Sequence, residues 1–105
     1  MTVPIVLTVG GSDSSGGAGI QADIRTIHAL EGYATSVVTA VTSQNTHEVS
    51  QVFGIPPATI ESQLSAVCGD LPPRAMKTGM LWSEQTIEAV VRAIRKYSKI
   101  GRAHV

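Results

Sequence analysis

Apolar and polar positions change their period several times along the chain, and each change marks an element. Residues 3–9 form an unbroken apolar and β-branched run, the pattern of a buried strand. Beyond a stretch rich in glycine and serine the period becomes helical, with Ile20, Ile24, Ile27 and Leu30 at three- to four-residue steps. This predicts a helix over 17–31, closed by Gly32 at the C′ position. Residues 34–42, rich in Val, Thr and Ala, predict a second strand. A polar turn follows at 44–48, then a short strand over 49–55 with Val49, Gln51, Phe53 and Ile55 on one side. Pro56 and Pro57 stop that strand and suit the first turn of a helix over 58–70, whose apolar positions are 60, 64, 67, 68 and 71. Pro72 and Pro73 break it, and 75–78 predicts a last short strand. Ser83 is placed to cap a final helix, with Glu84 in its first turn and Ile87, Val90, Val91, Ile94 and Tyr97 expected to be buried. Alternating strands and helices predict an α/β fold with a largely parallel sheet.

The segment between the first strand and the first helix carries the densest chemical signal. Residues 10–23 read GGSDSSGGAGIQAD, with five glycines and three serines in the first ten positions. Glycine lets a ligand approach main chain, and the following helix start presents free N–H groups and a positive dipole end. Such an arrangement suits a polar or anionic ligand. A phosphate loop of the G-x-x-x-x-G-K-[ST] kind needs a lysine, and none occurs between Met1 and Gly32. Gly17 to Ala22 matches a dinucleotide fingerprint locally. Its context fails, because the strand is expected to end near Val9, about seven residues too early for the tight first turn. No acidic residue stands near Val37–Ala40 to hold a ribose.

In sheets of this kind ligands sit beyond the carboxyl ends of the strands. The glycine loop, Gln44 and Gly79-Met80 each follow a predicted strand, so spacing alone converges them on one cleft. Gln44 carries one acceptor and two donors on its amide and either meets a ligand edge or satisfies turn backbone. Met80 is either a polarizable wall of the cleft or ordinary core. Asp23 is a helix acid favoured by the dipole, or a ligand partner. Asp13 is expected to organise the loop as an Asx-type turn. His28 and His47 have no second ligand at metal-binding spacing, and no metal is expected to bind these residues. Trp82 is expected to anchor the start of the last helix.

Composition narrows the classes. Eight basic and eight acidic residues give a formal net charge of 0, without the basic excess of a nucleic-acid footprint. A single cysteine, Cys68, excludes an internal disulfide and sits on an apolar helix face as a small buried hydrophobe. No apolar run reaches the roughly 18–20 residues that cross a bilayer. A cytoplasmic protein with no membrane partner is expected.

The whole loop resembles the N-terminal signature of the bacterial hydroxymethylpyrimidine kinase / phosphomethylpyrimidine kinase family of thiamine biosynthesis, within the ribokinase-like superfamily. Residues 39–46 (TAVTSQNT) and 77–81 (KTGML) resemble its second and third motifs. Ser43 departs mildly, standing where the family often has a small apolar residue. The resemblance implies a ribokinase-like three-layer sandwich, of which this is the N-terminal portion, over residues 1–99. It implies ATP- and Mg²⁺-dependent phosphorylation of 4-amino-5-hydroxymethyl-2-methylpyrimidine and of its monophosphate. It also implies substrate binding by Gly11, Ala18, Asp23, Gln44 and Met80, and a homodimeric full-length parent. Family members run to roughly 260 residues, the size of one large α/β domain. Their anion-stabilising loop and catalytic residue lie in the C-terminal half, so no catalytic residue is expected here and the chain alone is expected to be inactive. Residues 100–105 resemble a translated sequencing adapter and are expected to be a non-native tail. Other readings are a pyridoxine-type kinase of the same superfamily, a non-catalytic pyrimidine-binding module and a dinucleotide-dependent oxidoreductase.

Overall fold

A computed structural model describes residues 3–97, and the expected tail at 100–105 lies outside the described residues. The elements are β1 (Ile5–Asp13), α1 (Gly19–Ala29), β2 (Tyr33–Gln44), β3 (Val49–Gly54), α2 (Pro57–Asp70), β4 (Ala75–Thr78) and α3 (Glu84–Tyr97). The strands form one sheet in the order β3-β2-β1-β4. β1 runs parallel to β2 and β4, whereas β3 pairs antiparallel with β2. This is the mostly parallel α/β sheet with flanking helices that the ribokinase-like expectation called for.

Strand alternation divides the side chains between two faces. Leu7, Val9, Val37 and Met76 join Ile60, Leu64 and Cys68 of α2 and Val90 and Ala93 of α3 in one core. Leu7, Ile60 and Leu64 are essentially inaccessible, and each such side chain contributes about 1.5–3 kcal/mol by leaving water. Burial in this apolar setting pushes the Cys68 thiol up from its ordinary pKa, consistent with a packing role. On the other face, Thr8 of β1 and its register partner Lys77 of β4 point toward Asp23 of α1.

Four details depart from the sequence pattern. First, β1 does not stop at Val9 but pairs with β2 as far as Asp13↔Thr42. A β-bulge between Gly10 and Gly11 lets the strand continue, because Gly10 pairs with Val38 and Gly11 with Ala40. Thr39 is left unopposed, and the Gln63 amide of α2 bonds both the N–H and the C=O of neighbouring Val38 at 2.9 Å. The gap before Gly17 therefore shrinks from about seven residues to three. Second, Glu31 rather than Gly32 takes the left-handed C′ position of α1, with φ 65°. Glu31 N–H bonds His28 O at 3.0 Å and Gly32 N–H bonds Ile27 O at 2.9 Å, the paired bonds of a Schellman end. Gly32 is needed for closeness instead, since a Cβ there would lie 2.9 Å from Ile27 Cγ2.

The third departure is in α1, where Ile20 is buried while Ile24 and Leu30 are exposed. The helix leans on β1 and β2 through its first turns. The fourth is in α3, which buries Thr86, Ala89, Val90 and Ala93, leaving Ile87 and Val91 outward. Small alanines let α3 approach α2 closely, and close packing outweighs the size of the apolar side chains left outside. The Ser83 cap is present, its hydroxyl accepting the Thr86 N–H at 3.2 Å. No helix among the described residues is long and apolar enough to cross a membrane.

Candidate functional site

The carboxyl ends of β1, β2 and β4 open on a cavity of about 230 Å³. Gly11, Ala18, Asp23, Gln44 and Met80, the five residues expected from the sequence, all line it. This is below the roughly 300–1,000 Å³ of pockets for drug-sized ligands, so it suits a single small ring.

The glycine loop is built around Asp13, only 3 % exposed. Its Oδ1 accepts the Ser15 N–H at 2.9 Å and the Ser15 hydroxyl at 2.7 Å, and its Oδ2 accepts the Ala18 N–H at 2.8 Å. Gly16 N–H returns to Asp13 O at 3.0 Å, closing a turn in which Gly16 takes φ 80°. Asp13 is therefore the expected loop organiser. The hydrogen bond from the Ser15 hydroxyl lowers the Asp13 pKa below 3.8, against the opposing effect of burial and with help from the Ser15, Ala18 and Gly17 amides. A depressed carboxylate contributes stability that is present above its unfolded pKa and lost as pH falls through the folded one. Loop order is thus expected to hold at neutral pH, to begin weakening only below the ordinary aspartate value of about 3.9, and to be lost once pH falls through the lowered folded value. Asp13→Asn is expected to remove that acid transition and weaken the loop at pH 7. Hydrogen exchange at the Ser15 and Ala18 amides against pH checks both, and an unchanged profile in the variant would contradict the assignment.

Gly19 opens α1 at φ 62°, and a Cβ there would overlap Gly11 O and lie 3.3 Å from Asp13 N. Only glycine lets the helix start this close to the strand. Ala18 precedes it as an extended N-cap without a side-chain cap bond.

Asp23, on the second turn of α1, is held from the sheet. Thr8 Oγ1 donates to its Oδ2 at 2.7 Å, and Lys77 Nζ donates to Oδ1 and Oδ2 at 3.0 and 2.9 Å. Thr8 and Lys77 are partners across β1 and β4, so strand register delivers both donors to one carboxylate. Sequence reasoning quoted Lys77 within a motif and missed this pairing. The available signal was a cation inside a four-residue strand.

Gln44 ends β2 instead of opening a turn. Its main chain exchanges bonds with the Ser14 hydroxyl, at 2.6 Å to Gln44 O and 2.7 Å from Gln44 N. That ties the side chain to the rim of the loop. Thr42 Oγ1 lies 2.7 Å from Ser12 O and 3.2 Å from Gln44 Oε1. One hydroxyl hydrogen cannot serve both fully, so the Gln44 amide keeps acceptor capacity and both of its N–H donors. The polar turn falls at residues 45–48, where Asn45 Oδ1 accepts from His47 and Glu48 N–H at 2.8 and 3.0 Å.

Met80 is 42 % exposed and belongs to the cavity wall, not the core. A Cβ at Gly11 would lie 2.8 Å from Met80 Cε, so the thioether covers Gly11 directly. Gly79 N–H bonds Val9 O at 2.8 Å, and fully buried Thr39 donates to Met80 O at 2.5 Å. The bulge that leaves Thr39 unopposed thus positions Met80. Trp82 sits at φ 76°, and Ser83 N–H bonds Leu81 O at 2.9 Å around it. This is the rare γ-turn of positive φ, a conformation that costs an ordinary residue about 1–3 kcal/mol.

His28 and His47 are exposed, and no group of His, Cys, Asp or Glu among the described residues is placed to hold a metal ion.

A family model described as phosphomethylpyrimidine kinase matches residues 13–102. The chain belongs to that family. It is 52 % identical over 94 residues to the hydroxymethylpyrimidine/phosphomethylpyrimidine kinase of Synechococcus elongatus, covering 90 % of this chain and 36 % of that protein. A crystal structure of phosphomethylpyrimidine kinase from Clostridium difficile superposes with TM-score 0.87 at 47 % identity, over 90 % of this chain and 41 % of that one. Pyridoxal kinase from Staphylococcus aureus, in complex with AMP-PCP and pyridoxal, superposes at 0.82 with 34 % identity, over 91 % and 36 %. The chain thus spans from about a fifth to just over a third of the length of the curated relatives it matches.

Proposed function

We propose that the full-length protein transfers a phosphoryl group from ATP to the hydroxymethyl group of 4-amino-5-hydroxymethyl-2-methylpyrimidine, and then phosphorylates the monophosphate, in thiamine biosynthesis. One observation carries the reading. In a chain of this family, a free side-chain amide, a fixed carboxylate and a thioether face one small cavity at the strand ends. The Gln44 amide offers a donor to a ring nitrogen and an acceptor to the adjacent exocyclic amine. Asp23, fixed by Thr8 and Lys77, offers an acceptor to a further donor of the substrate. Met80 covers a ring face, and Gly11 beneath it and Ala18 on the loop leave room for the ring to approach the main chain. The segment's part in the reaction is to bind and orient the ring so that its hydroxymethyl group faces the phosphoryl donor.

Magnesium and the nucleotide supply the transferable phosphoryl group and charge neutralisation. A pyridoxine-type kinase is the second reading, favoured by the likeness to the Staphylococcus aureus enzyme. Turnover of the full-length protein with magnesium ATP, offered the hydroxymethylpyrimidine, its monophosphate or pyridoxal, decides between them. A higher kcat/KM on the pyrimidine pair is expected, and preference for pyridoxal would replace the first reading by the second.

A further inference from the structure

The segment between β4 and α3 carries a strained residue that the pocket chemistry leaves unused. Trp82 is the chain's only tryptophan, half-exposed, and it occupies the centre of a positive-φ γ-turn two residues beyond Met80. Strain of this kind persists only where surrounding contacts over-determine it. The contact here is Gly54, the last residue of edge strand β3. A Cβ at Gly54 would lie 2.8 Å from Trp82 Cε2 and would overlap Nε1 and Cδ1, so the indole rests on bare backbone. Gly54 pairs with Ala40, and the next residue, Ile55, bonds Thr39 O at 2.9 Å. Thr39 is the residue whose hydroxyl holds Met80 O. The indole and the Thr39 hydroxyl therefore fasten one loop to the same end of the sheet, at Met80 and two residues beyond it.

We propose that Trp82 is a positioning residue, a latch seated on Gly54 that fixes the Met80 wall of the pocket over Gly11. Its affinity readout rests on the pyrimidine reading above, whereas its structural readout does not. Gly79 and Thr39 continue to hold the loop when the latch is gone, so the expected effect is moderate.

The test uses the full-length protein labelled with methyl-¹³C methionine, the Met80 signal being assigned by Met80→Leu. Trp82→Ala removes the indole, and Gly54→Ala fills its seat. Each is expected to shift the Met80 methyl resonance without ligand. Each should also raise the pyrimidine KM about three- to tenfold, with the KM for ATP unchanged. Because both remove one contact, the double variant should be no worse than either single one, a failure of additivity. Trp82→Phe should restore most of the affinity. If Gly54→Ala does not fold, Trp82→Ala and Trp82→Phe carry the same comparison. A Met80 resonance that does not move in Trp82→Ala, or effects that add in the double variant, would overturn the latch. A wild-type protein that binds no pyrimidine, with a Met80 resonance still moved by Trp82→Ala, would remove the functional reading and leave the latch standing.

Discussion

Gly19→Ala in the full-length protein is expected to lower kcat/KM for the pyrimidine by about a hundredfold or more. The side chain added is one methyl group, yet every direction open to it is blocked. At φ 62° an L-residue is already disfavoured, by about 1–2 kcal/mol. The new Cβ would also overlap Gly11 O and crowd Asp13 N, backbone atoms of β1, and the Asp13 N–H is held by the Gln21 side-chain oxygen of α1 at 2.9 Å. Neither can rotate away as a flexible side chain could. The helix start must lift instead, taking Ala18 and Asp23 off the cavity and breaking the bond from Ala18 N–H to Asp13. A misplacement of about 1 Å is enough to cost roughly a hundredfold in rate. Gly69→Ala is the control: a Cβ there meets nothing within 4 Å, and the position lies in α2. That change is expected to be neutral or to stabilise by up to about 1 kcal/mol. Steady-state kinetics with a thermal melt separates the two cases, and a Gly19→Ala protein within threefold of wild type in kcat/KM would refute the close-approach argument.

The order of the seven elements was legible because hydrophobic period and prolines are local signals. Residues 75–78 are a strand with the expected bounds, since Pro72-Pro73 and Gly79 punctuate both ends. What escaped was set by partners far along the chain. The glycines at 10 and 11 carry no strand propensity, and they are in a strand only because β2, some thirty residues later, offers a ladder and a bulge that fits them. The face of α3 was misjudged for the same reason. Period alone ranks Ile87 and Val91 above Ala89 and Ala93, whereas contact with α2 selects small residues at the helix crossing.

The candidate site divides along the same line. The glycine loop, Gln44 and Met80 could be gathered by one topological rule, because strand ends in such sheets meet, whereas Ala18 and Asp23 were singled out by the family resemblance. The pairing of Lys77 with Asp23 depends on Thr8 and Lys77 sharing a register, and that register is invisible before the sheet is assembled. Trp82 on Gly54 depends on a backbone turn of a hand that no residue type other than glycine announces. The expected loop role of Asp13 was legible because it is local, reaching no further than Ala18.

Gln44→Leu is the substitution that most directly tests the pocket's chemistry. Leucine keeps roughly the volume of glutamine and removes only the amide. The bonds that fix the end of β2 use the Gln44 main chain and the Ser14 hydroxyl, so they survive the change. The side chain accepts from Thr42 Oγ1 at 3.2 Å, and that hydroxyl hydrogen already has a closer acceptor in Ser12 O at 2.7 Å. Little folding energy is therefore at stake, and the melting temperature should stay near that of the wild type. The loss falls on the ligand. A pyrimidine edge buried against leucine leaves a donor or acceptor unpaired, at about 1–3 kcal/mol for each group. The KM for the pyrimidine should rise at least about tenfold, since 1.4 kcal/mol is a factor of ten, while the KM for ATP stays nearly constant. Gln44→Glu sharpens the result, because a carboxylate retains acceptors and loses both N–H donors. If the amide donates to a ring nitrogen, the glutamate variant is impaired like the leucine one. A pyrimidine KM unchanged in both variants would reduce Gln44 to a strand terminus tied to Ser14, and would leave Asp23 and Met80 as the groups that recognise the ring.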